Sequence, residues 1–291
     1  MQTGPSGVYG FGGLDPGSFT VRASRQGVAT GALSSLDAAW ALQAAVGRRE
    51  LGPTQFLACD VTGNGIVSSL DAARILQRVV GMMPVLPIAQ ACGSDLLVVP
   101  LPGMPGAVPP VMQTGACNPG SFAFDPLASS VGDADFEAAY FGDCTLNGGN
   151  APTGGGSARV SAPVSARLGR ERRRRRRFVQ LPLYVTGTRS FSALDVTLRY
   201  DPGNVRLVRI RETRTGAGML ALSMAASPGT VRRVVATSTP AALGTEPVLV
   251  VTFERLKRDA QGVGLVDVRV DDQPARLAFP DKSRSRSELL E

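Results

Sequence analysis

The chain has 291 residues, more than one small core needs, and its 34 glycines and 21 prolines mark a loop-rich molecule of more than one part. Its formal charge of +7 is a local property: seven arginines against Glu171 between Arg170 and Arg177 leave only +1 for everything else. With no histidine, no GxSxG elbow and no phosphate-cradling glycine loop, triad, proton-shuttle and nucleotide chemistries are excluded as first readings, and a non-catalytic protein is expected.

In chain order, residues 1–23 carry two short alternating runs about a Gly/Asp/Pro turn, which predicts a hairpin. Tyr9, Phe11, Leu14, Gly17, Phe19, Thr20 and Val21 follow a pattern that resembles the closing strands of the carboxypeptidase regulatory-like sandwich. That resemblance implies the end of a domain whose front is missing. Met1-Gln-Thr-Gly-Pro-Ser-Gly7 lacks the basic start and apolar core of a secretory signal, so the expectation is the C-terminal portion of a longer exported protein, extracellular or at the cell surface.

An internal repeat follows. Ser34 to Gly47 returns 34 residues later as Ser68 to Gly81, with ten of fourteen positions identical. In each copy the apolar residues fall one, four, five, eight and nine places after the aspartate: Ala38, Ala41, Leu42, Ala45 and Val46, then Ala72, Ile75, Leu76, Val79 and Val80. This predicts two short amphipathic helices packed on each other, leaving Trp40, Gln43, Ala44, Arg74, Gln77 and Arg78 outside their shared core. The second helix is preceded by Asp60, Thr62, Asn64, Ser68 and Asp71 at loop positions one, three, five, nine and twelve, with Gly65 at six. Several oxygens at this spacing suit a hard cation, so Ca2+ is expected, with Ile66 giving its carbonyl. The first copy has no leading acid, Gln26 or Val28 standing in its place, and retains only Thr30, Ser34 and Asp37 as a weak second metal site.

Residues 24–83 resemble the type I dockerin, a duplicated loop-helix module of the EF-hand type. The resemblance implies calcium on Asp60, Thr62, Asn64, Ile66, Ser68 and Asp71, and a cohesin partner. Ser35 and Ser69 keep the family's first hydroxyl recognition position, whereas Leu36 and Leu70 replace the second, and Leu42-Gln43 and Leu76-Gln77 stand where a basic pair belongs. Partner specificity is therefore expected to differ from that of the well-known pairs. The partner-binding candidates are Trp40, Ser35, Ser69, Arg74 and Arg78, since Trp and Arg most often anchor interfaces; packing of Trp40 under the linker is an equal alternative.

Residues 84–169 are rich in Pro, Gly and small residues, with short strands expected at Asp95–Val99 and Ser121–Phe124. The cysteines Cys59, Cys92, Cys117 and Cys144 form no CxxC pair, so disulfides in an oxidising compartment are expected. Of three connectivities, Cys59 with Cys92 and Cys117 with Cys144 is the preferred one. Asp143, Thr145 and Asn147 repeat the opening of the calcium loop, but position twelve is Gly154, and a vestigial loop or plain turn is the expectation. Gly154-Gly-Gly-Ser157 has the composition of a flexible linker, and residues 170–177 read as a solvated arginine run leading into a strand, with a polyanion patch as the alternative.

From Phe178 the pattern changes to alternating runs separated by Gly, Pro and Asp: 179–185, 193–200, 205–210, 231–236, 248–253 and 263–270. Six such runs predict an antiparallel sandwich, and arginines alternating with Val and Leu predict one wet and one dry face. Phe191 to Pro202, Val205, Leu207, Gly229 to Ser238 and Val248 to Phe253 make the region 178–280 similar to the cohesin, a jelly-roll sandwich that binds dockerins. The fold expected for the whole is thus modular α + β, a duplicated loop-helix calcium module plus an all-β jelly-roll sandwich, with 281–291 as a disordered tail. The expected function is calcium-dependent protein–protein assembly through a cohesin or dockerin module of the same or another protein. A carbohydrate-binding accessory of a secreted polysaccharide-degrading system is the alternative, with polysaccharide as partner. Nucleic acid is not expected as a partner, since no aromatics interleave the arginine run.

Overall fold

The computed structural model describes residues 3, 7–113, 116–148, 164–174, 177–187, 190–213, 219–257 and 262–278. The Gly154–Ser157 stretch, Arg175, Arg176 and the tail 281–291 lie outside them. Among the described residues the helices are α1 (Ser35–Ala45), α2 (Pro53–Cys59), α3 (Ser69–Val79) and α4 (Pro87–Cys92). The repeated helices appear where the periodicity placed them. Each starts on a serine N-cap, Ser34 or Ser68, closed by the aspartate three residues on, so the repeat encodes a capping box as well as an apolar stripe.

The first half adds β1 (Gly17–Val21), β2 (Leu96–Pro100), β3 (Ala107–Val108), β4 (Val111–Gln113), β5 (Ala116–Asn118), β6 (Ser121–Leu127) and β7 (Phe136–Tyr140), arranged as β1-β6-β3, β2-β7 and β4-β5. The terminal hairpin predicted for 1–23 does not form. Among the described residues of this stretch only Gly17–Val21 is a strand, and it pairs with β6, setting Phe19 beside Phe124 and Val21 beside Phe122. A two-stranded hairpin of this length gains little in water, whereas the aromatic strand β6 offers apolar cross-strand partners. Helices α2 and α4 start with proline at N1 or N2, where the missing N–H costs nothing; α4 lies in the stretch 84–169, where proline-rich composition argues against helix.

The second half is the expected sandwich. One sheet runs in the order β12 (Val205–Glu212), β15 (Leu249–Arg255), β10 (Phe178–Thr186), β8 (Ser165–Leu168), β18 (Arg276–Leu277), with β9 (Arg172–Arg174) also on β10. The other runs β13 (Met219–Ser227), β14 (Thr230–Ala242), β11 (Ser190–Tyr200), β16 (Val263–Val270), β17 (Gln273–Pro274). Val179, Leu181, Leu183, Leu194, Val196, Leu198, Val251 and Phe253 fill the space between the sheets.

One face was misread from sequence. The outward side of β14 and β11 is not wet, because α1 lies on it. Ala193, Val234 and Ala236 join one core with Ala38, Ala39, Ala41, Leu42, Ile75 and Leu76, and Leu220, Leu222 and Met224 of β13 pack against it. Small residues on both sides let the helix approach the sheet closely. Helix α1 is therefore buried on two sides, by α3 and by the sandwich, which a single-stripe pattern does not reveal.

The disulfides are Cys59–Cys144 and Cys92–Cys117, not the neighbouring pairs expected. The chain returns through 141–148 to the start of the helical module, where Gly142 donates to the Ala58 carbonyl at 2.8 Å, and this return brings Cys144 to Cys59.

Candidate functional site

The loop 60–71 is closed by hydrogen bonds onto its two carboxylates. The Asp60 carboxylate accepts from Asn64 N (3.1 Å) and Gly65 N (2.7 Å), and the Asp71 carboxylate from Thr62 N (3.0 Å), Ser68 N (2.9 Å) and Ser68 Oγ (2.8 Å). The Thr62 hydroxyl joins them, 2.9 Å from Asp71 and 3.3 Å from Asp60. Gly65 takes φ +80°, which the sharp turn at position six requires. Ile66 donates its N–H to Asn64 Oδ1 and holds its side chain in solvent, so at this position only the backbone belongs to the loop. Asp60 and Asp71 are buried.

The half-loop at Asp143 carries the same hydrogen bonds as the opening of the loop 60–71. Its carboxylate accepts from Asn147 N (3.1 Å) and Gly148 N (2.9 Å), as Asp60 does from Asn64 and Gly65. Its closing carboxylate comes from Asp37, at the first turn of α1. Asp37 accepts from Thr145 N (3.0 Å), Thr145 Oγ1 (2.8 Å), Ser34 N (2.8 Å) and Ser34 Oγ (3.0 Å). Thr145 Oγ1 also lies 3.2 Å from Asp143. In its carboxylate contacts this matches the loop 60–71, cut into two segments: 143–148 supplies the leading acid that the first repeat lacks, and 34–37 supplies the end. At Gly148 a Cβ would fall 2.3 Å from that of Ala32, so glycine is what lets the two segments meet.

Thr30 makes none of these hydrogen bonds. It lines a cleft of about 660 Å³ between the helices and the sandwich together with Arg78, Asp195, Arg232, Arg269 and Asp272. From the sandwich, the Asp272 carboxylate shares the single Ser34 hydroxyl proton with Asp37, at 3.0 Å, and accepts from Asn147 Nδ2 at 3.4 Å. Burial, and after it the charge of Asp143, pushes the Asp37 carboxyl up to about 7; burial also raises Asp143 and Asp272 above the ordinary carboxylate range.

The partner candidates divide. Ser35 is buried, and Trp40 is half-buried against the common core with the Arg49 guanidinium 3.6 Å from its ring centroid, so neither is a free anchor. Ser69 is exposed beside the exposed Leu70. Arg74 donates to Gln77, and Arg78 lines the cleft. Of the side chains that hold the two halves together, Gln43 is expected from the sequence to lie outside the helical core, while Ser192, Asp195 and Arg232 are not marked by it. Gln43 Nε2 donates to Ser192 Oγ at 3.0 Å, and the Arg232 guanidinium forks onto Asp195 while its Nη1 donates to the Val79 carbonyl at 2.8 Å, capping α3 from the sandwich. The hydrogen bonds to Asp195, and after them the charges of Asp195 and Asp267, raise the Arg232 pKa against the opposing effect of burial. Arg232→Met is expected to cost about 2–3 kcal/mol, below the full value for a buried pair because a third of the arginine side chain is exposed. Arg232→Met with Asp195→Leu should recover at least half of that in urea denaturation; a double variant as unstable as the sum of the singles would deny the coupling.

No family model and no curated protein matches the chain. Among solved structures it is similar to the sixth cohesin of scaffoldin B from Acetivibrio cellulolyticus, crystallised with a mutant dockerin, at 14% identity and TM-score 0.32 over 40% of this chain and 94% of that one. It is similar also to a non-cellulosomal cohesin from Archaeoglobus fulgidus, at 12% identity and TM-score 0.33 over 40% and 86%. A third is the cohesin module of a family 33 glycoside hydrolase from Clostridium perfringens, at 12% identity and TM-score 0.29 over 41% and 98%.

Proposed function

We propose that the chain is a non-catalytic assembly unit whose helical module is ordered by calcium and seated on its own sandwich, a dockerin-type and a cohesin-type half closed within one molecule. The observation that supports this reading most is the seam itself: α1 lies on β11 and β14 through a shared apolar core, pinned by Gln43 on Ser192 and by Arg232 on Val79. Each loop offers two carboxylates, two hydroxyls and an asparagine amide, a hard-oxygen set that fits Ca2+. In the contiguous loop Asp60, Thr62, Asn64, Ser68, Asp71 and the Ile66 carbonyl would hold it; in the split loop Asp143, Thr145, Asn147, Ser34 and Asp37. Calcium would supply positive charge to buried carboxylates and couple folding of each loop to ion binding. At the split loop, Asp272 touches two of these residues, so ion binding and closure onto the sandwich would favour each other. Disulfides and calcium both suit an extracellular or cell-surface setting. Among the described residues no helix is long and apolar enough to cross a membrane.

Both disulfides lie within the first half, so cutting between 149 and 163 leaves no covalent link across the seam. With a protease site placed there, the cut chain is expected to elute in calcium as one particle of unchanged size and to separate in chelator. Separation in calcium would remove the closed reading and leave the partner in another protein; union in chelator would remove calcium from it.

A further inference from the structure

The outward face of the sheet β12-β15-β10, on the side of the sandwich opposite the helices, has a charge pattern that assembly does not use. In an antiparallel ladder directly opposed residues share a face. Arg209 opposes Thr252, Thr252 opposes Gln180, and Gln180 opposes Arg172, so one row across four strands begins and ends in arginine. The flanking rows are Arg206, Glu254, Phe178 and Arg211, Val250, Pro182. Val251, Phe253, Val179 and Leu181 alternate with them into the core, which fixes these rows as the outer ones. Three arginines share the face on β12 only because of the irregularity between Leu207 and Arg209; in an unbroken strand residues 206, 208 and 210 would do so.

The result is a trough. One rail is Arg206, Arg209 and Arg211; the other is Arg172 with Arg167, which opposes Tyr184. Three strand spacings, roughly 14 Å, separate them. Between lie Val250, Thr252 and Gln180, uncharged and partly exposed, and Pro182, which is buried. Glu254 pairs with Arg206, but Arg209, Arg211 and Arg172 are exposed and have no ion pair among the described residues. The arginine run is thus, in its described part, a strand that completes a basic face.

We propose that this face binds a linear acidic polysaccharide lying along the strands between the rails. Charge complementarity selects a polyanion, and the hydroxyl and amide of Thr252 and Gln180 offer hydrogen bonds to sugar hydroxyls. A single-stranded nucleic acid would need successive free rings to stack its bases. The outer rows offer only Phe178 and Tyr184, and the Arg167 guanidinium covers Tyr184 at 4.4 Å from the ring centroid.

The test uses the full chain with fluorescently labelled chondroitin sulfate, titrated at several sodium chloride concentrations. Arg209→Glu with Arg211→Glu is expected to weaken binding at least tenfold at low salt and to flatten the plot of log affinity against log salt by about two, one for each lost contact. Arg22→Glu with Arg48→Glu, both exposed and off this face, makes the same change in net charge and should alter affinity less than about twofold. Equal losses from the two pairs, absence of binding by the wild type, or tighter binding of oligo(dT) than of chondroitin sulfate at equal salt would each overturn the proposal. Unchanged melting temperatures establish that the variants are folded.

Discussion

Replacing Cys59 and Cys144 together by alanine is expected to lower the unfolding free energy by about 4–5 kcal/mol, because that bridge closes a loop of 85 residues and the chain-entropy gain grows with loop length. The Cys92–Cys117 bridge closes 25 residues, and its removal should cost about 3.5 kcal/mol on the same model. The ordering matters more than the difference. Cys59 precedes Asp60, and Cys144 lies between Asp143 and Thr145, so the longer bridge tethers both loops to each other. Its loss should therefore also weaken calcium binding at the split loop, which depends on 143–148 returning to α1. Removal of the shorter bridge should leave calcium binding unchanged. Urea denaturation and calcium titration of the two double variants check both parts; equal effects of the two on calcium binding would contradict this role for Cys59–Cys144.

The second large effect is expected from calcium itself. An ion present at a hundredfold excess over its dissociation constant adds roughly 2.7 kcal/mol per site, so two sites would shift stability by about 5 kcal/mol between calcium and chelator. Asp60→Ala with Asp71→Ala removes one increment, and Asp143→Ala with Asp37→Ala the other. Asp37 and Asp71 also close capping boxes, so each variant starts lower even in chelator, by about 1 kcal/mol. The meaningful quantity is the rise in melting temperature on adding calcium. It should halve in either variant and vanish when both are combined. A full rise in the Asp143/Asp37 variant would remove the split loop from the account.

How far this architecture can be read from sequence depends on the range of the interactions. The helices at Ser35 and Ser69, the loop at Asp60 and the strands from Phe178 are legible because 3.6 and 2.0 periodicity, capping and loop spacing are local signals. The hairpin at the N-terminus is a local signal that lost, since β6 offers Phe19 and Val21 better partners than their own neighbours do. The split loop is half legible. Asp143, Thr145 and Asn147 announce themselves, but the carboxylate that completes them belongs to Asp37, and Thr145 reaches it across 108 positions. The cysteine pairing is misjudged for the same reason, because nearest-neighbour pairing ignores the return of 141–148 to α2. The burial of α1 on a second side has only a faint sequence signal: its copy of the repeat has Trp40, Ala41, Ala44 and Ala45 where the second has Arg74, Ile75, Arg78 and Val79, exchanging two arginines and two large aliphatics for small or aromatic residues. That is the composition of a helix between two neighbours, and it could have suggested the seam.

The central claim is that the first repeat has kept a cation loop by borrowing its front from residues 143–148. Isothermal calorimetric titration of calcium into the full chain tests it most directly. The account predicts two ions per chain for the wild type and one for Asp143→Ala, with the contiguous loop still filled. One ion per chain in both proteins, or none in either, would contradict it.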